Sequence, residues 1–570
     1  MRCTVQALAR AALLAVALAA GVSAHAGVAT TKHNLSVGGP GTVKALTETE
    51  TCIFCHAPHN TSPAGALWNR RTGGSTYTPY TSSTARGNAG QPNGSSLLCL
   101  SCHDGTIALG ELLSRTTTLP MSGGVTTMPI GPGRLGTDLS DDHPVSFAYT
   151  AALVAARGGE LVSPATLTGR VKLDASGQMQ CSSCHDAHDD TNGKFLVIPN
   201  QASALCETCH VKAYWASSNH HLSSKTWNGV APDPWPHTSE TSVAANACEN
   251  CHQPHSAPGR KWLLNTAAEE DTCFNCHNGN VAAKNIRAEF SKASRHDVTA
   301  TTGTHDPAEP AVVAARHVEC SDCHNPHATR DTGAAVAGPL TGVRGITIAG
   351  VEVNPVTAEE QVCFRCHGDS TGKPAPRTAR QIAQTNTRLE FGTSNPSFHP
   401  VAGPGRNASV PSLIAPLTTA STIKCSSCHN SNAGPGSGGA GPNGPHGSTV
   451  TPLLERQYSV ADNTSESTAN YALCYKCHDR NSIIGGGSGS FREHNRHIVG
   501  ERTPCNVCHD PHGISATQGN AINNGKLINF DTSVVTAVSA SVAIRFEATG
   551  NSAGRCYLVC HGKSHNPLSY

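Results

Sequence analysis

The chain has 570 residues, with 41 Lys+Arg against 40 Asp+Glu and only 4% aromatic residues. So few large apolar side chains would leave a protein of this length marginally stable, which excludes an ordinary hydrophobic core as the sole source of its stability. The nearly balanced charge gives the bare polypeptide no strong field of either sign, and a single short apolar run excludes a multispanning membrane protein.

That run, Ala11 to Ala20, follows Arg2 and Arg10 and ends at Ser23-Ala24-His25-Ala26, a small-x-small cleavage pattern. Residues 1–26 read as a secretory signal peptide. Cys3 precedes the apolar run and cannot be the lipid-bearing residue of a lipoprotein. The mature chain is expected to be exported, to the periplasm, the cell surface or the exterior, with no membrane span.

Cysteine and histidine then set the pattern. In chain order, Cys-x-x-Cys-His occurs as Cys52, Cys55, His56; Cys99, Cys102, His103; Cys181, Cys184, His185; Cys206, Cys209, His210; Cys248, Cys251, His252; Cys273, Cys276, His277; Cys320, Cys323, His324; Cys363, Cys366, His367; Cys425, Cys428, His429; Cys474, Cys477, His478; and Cys505, Cys508, His509. A twelfth copy, Cys556, Cys560, His561, has one extra residue between its cysteines. Cys3 alone of the 25 cysteines lies outside these motifs.

Two thiols at this spacing reach the two vinyl groups of one porphyrin while the next side chain reaches its iron, the signature of covalently attached haem c. A lone Cys-x-x-Cys in an exported protein could equally be a zinc ribbon or a disulfide. With 31 histidines in 570 residues, however, chance would place one after about one pair in eighteen, and it follows all twelve. Twelve haems leave about 45 residues each, too few to wrap each in its own domain. The core is therefore expected to be the stacked haems themselves, and without haem the chain is not expected to fold.

The motifs form six pairs. They divide the chain into 27–140, 141–230, 231–295, 296–395, 396–490 and 491–570. The first motif of a pair carries a further histidine three residues on, at His59, His188, His255, His327 and His512; in the fifth pair a Gly/Pro-rich insertion displaces it to His446, within Pro445-His446-Gly447. Each pair also has an upstream histidine: His33, His143, His237, His317, His399 and His497. Any one of these could be a solvated surface side chain. As a set, six upstream and six downstream histidines match the twelve distal ligands that six-coordinate irons require. His220, His221, His296, His305, His494 and His565 remain; His220 or His221 could replace His237, and His565 could serve the last haem.

Secondary structure reads as mostly loop. Ala267 to Asp271 and Ala358 to Gln361 look like first turns of short motif-bearing helices. Ile346 to Val353 suggests a hairpin, as does alternating Val542, Ile544 and Phe546 facing Leu527 to Phe530. The long connection Thr117 to Thr137 reads as a wrap over porphyrin faces or a contact with other subunits.

These strings resemble the multihaem c-type cytochromes with doubled Cys-x-x-Cys-His motifs of metal-reducing and sulfate-reducing bacteria. The likeness is carried by Lys32-His33-Asn34-Leu35-Ser36, Cys52-Ile-Phe-Cys-His-Ala-Pro-His59, Leu98-Cys-Leu-Ser-Cys-His-Asp-Gly105, the His-Pro-Val strings at His143 and His399, and Cys556-Tyr-Leu-Val-Cys-His-Gly-Lys-Ser-His565. It covers nearly the whole mature chain; the stretched last motif and the interrupted fifth pair depart from it. It implies electron transfer across the periplasm, through the outer membrane with partners, or outside the cell, with redox proteins or extracellular metals as partners and a homopolymer available to some relatives. With two propionates per haem the oxidised protein carries a charge of about −13, which makes nucleic acid an unfavourable partner. No Cys-x-x-Cys-Lys occurs, and only Met121, Met128 and Met179 follow the signal peptide, so the economical reading is twelve closed bis-histidine irons at low potential in a non-enzymatic conduit. The alternative is a terminal reductase in which one haem, that of Cys556 to His561, has an exchangeable ligand.

Overall fold

Fifty-five glycines and 35 prolines break every periodic run, and the elements are correspondingly short. The computed structural model describes residues 27–570 apart from 73, 301–304, 313–316, 334 and 487–489; the expected signal peptide lies outside the described residues. Among the described residues the longest helix is Gly94–His103, ten residues that end in a motif. The helix Glu269–Phe274 opens on Glu269, Glu270 and Asp271, acidic side chains that complement its dipole, and Glu360–His367 carries another motif. Both lie where the acidic runs predict them. No helix of the described residues is long and apolar enough to cross a membrane.

The chain divides into two compact units. One comprises residues up to Val211 with Gln253–Leu263; the other comprises Lys212–His252 with Leu264–Tyr570. The first holds the first four motifs and the second the remaining eight.

Strands are mostly two-residue ladders. Gly345–Ile346 pairs with Glu352–Val353, the hairpin expected there. Elsewhere the ladders join distant segments: Ser294–Arg295 with Gly447–Ser448, and Ser397–Phe398 with Gly513–Ile514. Gly447 explains part of the Pro-His-Gly string, since a Cβ there would lie 1.9 Å from the Glu289 carbonyl oxygen. The one larger sheet is C-terminal, where Arg545–Gly550, Ala553–Cys560 and Lys563–Ser569 run antiparallel and Val535–Thr536 adds to the middle strand. Here the structure differs from the expected hairpin. Ile544 and Phe546 do pack on Ile528 and Phe530, but the strand's hydrogen-bonded partner is Ala553–Cys560, reached through a short turn.

Apolar side chains gather in small separate clusters that stop at the motif cysteines. Phe54, Leu109, Leu112 and Met121 pack with Cys55 and Cys102, and Val507, Phe530, Val535 and Leu558 with Cys508, Cys556 and Cys560. Polar buried groups tie the loops between them. Arg70 is fully buried and donates to the carbonyls of Leu109 (2.8 Å), Ala108 (3.0 Å) and Ser101 (3.2 Å), closing the loop behind the second motif. Arg70→Met is expected to orphan those carbonyls and cost about 2–4 kcal/mol, measured as a lowered denaturation midpoint of the holoprotein. An unchanged midpoint would show that water reaches them.

Candidate haem sites

Each Cys-x-x-Cys-His closes one tight turn. The histidine amide donates to the first cysteine's carbonyl at 2.8 Å in His56, 3.0 Å in His185, 2.9 Å in His210, 2.9 Å in His429 and 3.0 Å in His478. The i to i+4 closure puts both thiols and the imidazole on one side of the turn. The last motif is built differently: Cys556 and Cys560 lie on the strand Ala553–Cys560.

Two imidazoles on opposite sides of one metal, each bound through a nitrogen about 2.0 Å away, place their ring centres about 6 Å apart. The motif histidines of the first unit meet that condition with His56–His188 at 6.1 Å, His103–His33 at 6.2 Å, His185–His255 at 6.1 Å and His210–His143 at 6.2 Å. In the second unit the pairs are His252–His327 at 6.3 Å, His277–His220 at 6.1 Å, His324–His446 at 5.9 Å, His367–His296 at 6.1 Å, His429–His512 at 6.2 Å and His509–His494 at 6.3 Å. His478 has His399 within electrostatic reach. Beside the last motif the rings at this spacing are His497 and His565, 6.4 Å apart.

Several histidines singled out in the sequence stand elsewhere. His59 is exposed and makes no hydrogen bond or ring contact among the described residues. His237 turns its Nε2 to the Glu249 carbonyl, 2.9 Å away, and His317 points Nε2 at Glu309, 3.1 Å away. His220, His296 and His494 take the facing positions beside His277, His367 and His509. His220 lies before the boundary drawn at residue 230, yet it faces the third pair.

Many of these imidazoles are held by their Nδ1 atoms, which leaves Nε2 for a metal. Nδ1 of His56 bonds the Ala66 carbonyl (2.7 Å), that of His185 the Lys194 carbonyl (2.9 Å) and that of His509 the Lys526 carbonyl (3.0 Å). Ala66-Leu67, Lys194-Phe195 and Lys526-Leu527 all take left-handed backbone conformations, each after a glycine. The recurring Gly-(Ala/Lys)-(Leu/Phe) string, whose middle residue lies 10, 9 and 17 residues after the three motif histidines, marks this clamp in the sequence. In the second motif Gly133, on the long connection Thr117 to Thr137, accepts from His103 at 2.5 Å.

Two facing imidazoles are held by carboxylates: His255 by Asp142 (3.0 Å) and His512 by Glu390 (3.0 Å). Burial opposes the His512 cation, but Glu390 outweighs it and lifts the imidazole to about 8. Elsewhere burial dominates, pushing His277, His367, His429 and His478 down to about 4 and His327, His446 and His494 to about 3. These rings are neutral, the form that binds a metal.

The facing histidines obey a rule that crosses the repeats. The downstream histidine of one pair faces the first motif histidine of the pair before it: His188 faces His56, His255 faces His185, His327 faces His252, His446 faces His324 and His512 faces His429. The residue just before that downstream histidine clasps the preceding pair's upstream histidine. The carbonyl of Ala187 accepts from Nδ1 of His33 (3.0 Å), Pro326 from His220 (2.8 Å), Pro445 from His296 (2.8 Å) and Pro511 from His399, while Pro254 accepts from the His143 amide (2.8 Å). In the sixth pair the ring facing the first motif histidine, His509, is His494 of the same pair.

The thiols also place the motifs in order. In the first unit Cys55 lies near Cys102, Cys99 near Cys181, and Cys184 near Cys209. In the second unit the run is Cys251 near Cys276, Cys273 near Cys320, Cys323 near Cys366, Cys363 near Cys425, Cys428 near Cys477, Cys474 near Cys505, and Cys508 near Cys556 and Cys560. Within each unit the motifs neighbour one another in space in their sequence order.

A family described as "Doubled CXXCH motif" matches residues 175–213 and 241–282. A protein named "Multiheme cytochrome MtrA" from Shewanella baltica (strain OS185) is 24% identical over 205 residues, 34% of this chain and 44% of that protein, so the match spans less than half of the relative. Motif turns that present two thiols and an imidazole, second imidazoles set at the spacing of a shared metal, and these likenesses together make the chain a multihaem c-type cytochrome with doubled Cys-x-x-Cys-His motifs.

Proposed function

We propose that the chain binds twelve haems c and serves as a low-potential electron conduit, without enzymatic activity, between periplasmic donors and outer-membrane or extracellular acceptors. The observation that carries this reading is the second imidazole facing motif histidines throughout the chain. An iron held between two neutral imidazoles has no position for a substrate, and it cycles between two oxidation states at low potential. The in-order thiol contacts support a haem succession along each unit and a core made of stacked haems. A shuttle and a filament both fit, since head-to-tail contacts between copies need not close.

The test is the protein secreted from a host that attaches haem c. Intact mass should show twelve haems on a chain beginning at Gly27, and the ferric protein should be fully low-spin. A substantial high-spin fraction, or carbon monoxide binding to the reduced protein, would favour the reductase reading.

The two carboxylate-held imidazoles make a finer prediction. A carboxylate partner makes the ligand more electron-donating and stabilises the ferric iron. Asp142→Asn is expected to move one component of the reductive titration to higher potential while the haem count stays the same. A superimposable titration would remove Asp142 from any tuning role.

A further inference from the structure

The last motif departs from the others in both sequence and backbone. Its cysteines lie on the strand Ala553–Cys560, where Cys556, Leu558 and Cys560 share one face because side chains alternate along a strand. On a strand, cysteines three residues apart would point to opposite faces, so the extra residue is what keeps both thiols together. The register shift opposite Cys556 and Leu558, whose partners are Leu568 and His565, puts the bulge's extra residue on the returning strand and leaves the alternation of the cysteine strand intact.

His561 then falls in the turn. It and Gly562 have φ of +47° and +73°, the two left-handed positions of a tight I′-type hairpin loop. His561 is exposed, and its Nε2 is held by both carboxylate oxygens of Asp462, at 2.9 and 3.0 Å. The nitrogen left free for iron on the other motif histidines is the one occupied here.

His565 lies on the returning strand opposite Leu558, and cross-strand partners share a face. It is buried, and Tyr570 Oη lies 2.6 Å from its Nδ1. Across from it, His497 stands on the wide π-type turn Asn495–Gly500, its Nδ1 bonded to the Glu493 carbonyl (2.9 Å) and its ring stacked on Phe491. Both rings thus have Nδ1 engaged and Nε2 free, as His56, His185 and His509 do. His494, three residues before His497, faces the neighbouring motif histidine His509.

We propose that the haem attached at Cys556 and Cys560 takes His497 and His565 as its two axial ligands, with His561 serving as a structural partner of Asp462. This rests on the haem-binding reading above and specifies its last site.

The test uses the full-length secreted holoprotein and two readouts, the covalent haem count by intact mass and the spin state of the ferric irons. His565→Ala is expected to keep twelve haems and to turn about one twelfth of the iron high-spin. His565→Met is expected to restore a six-coordinate iron with the near-infrared band of methionine ligation and a raised potential at one haem. His561→Ala is expected to leave the spin state as in the wild type. If His565→Ala loses one haem, return to twelve in His565→Met supports the ligand role, whereas eleven in both variants counts against it. Twelve haems with an unchanged low-spin spectrum in His565→Ala would overturn the assignment, as would a new high-spin signal in His561→Ala. An eleven-haem wild type also overturns it while leaving the conduit intact; a wild type with many high-spin irons instead defeats the closed-site reading.

Discussion

Produced in a host that cannot attach haem, the chain is expected to remain unfolded. The described helices reach ten residues at most, below the length at which an isolated helix holds in water. Most ladders are two residues long, and two-stranded pieces of that size have no independent stability. The apolar clusters are separate and small; one of the larger, around Phe147, Tyr149 and Leu153, ends at Cys209. Nothing in the polypeptide alone offsets the cost of ordering its backbone, about 1–2 kcal/mol per residue. Far-UV circular dichroism and amide hydrogen exchange of the haem-free chain should show no protected segment. A cooperative thermal transition in that material would mean that the side chains suffice and that haem is not the core.

His188→Ala and His59→Ala should behave oppositely, although both residues stand three positions after a motif histidine. His188 faces His56 at 6.1 Å, while His59 faces nothing among the described residues. The His188 variant is expected to keep its haem count and turn about one twelfth of the iron high-spin; the His59 variant should match the wild type. The reverse outcome would mean that each repeat closes its own sites and that the crossing rule is wrong.

What the sequence reveals here is local chemistry. The thiol–thiol–imidazole turns are legible because attachment demands adjacent residues, and the two acidic helix starts are legible because charge complements a helix dipole within one turn. Facing histidines are another matter. His56 and His188 are brought together by the path of the next repeat, which no spacing encodes. Proximity in sequence misleads at His237, which lies close before Cys248 and is taken up by the Glu249 carbonyl, while His220 faces His277. The backbone of the last motif is not legible in its pattern, which names cysteines and not the strand that carries them. Alternation at Val542, Ile544 and Phe546 does signal a strand, but its partner, the strand bearing Cys556 and Cys560, was masked by the motif itself.

The crossing rule gives assembly a direction in time. A chain emerging N-terminus first presents His56 and His33 before Ala187 and His188 exist to meet them, and the same delay recurs at each later pair. Each of the first five repeats is therefore expected to close only once its successor has arrived, so maturation should run as a wave trailing one repeat behind the emerging chain. The sixth pair differs, because His494 and His497 let it close with residues of its own.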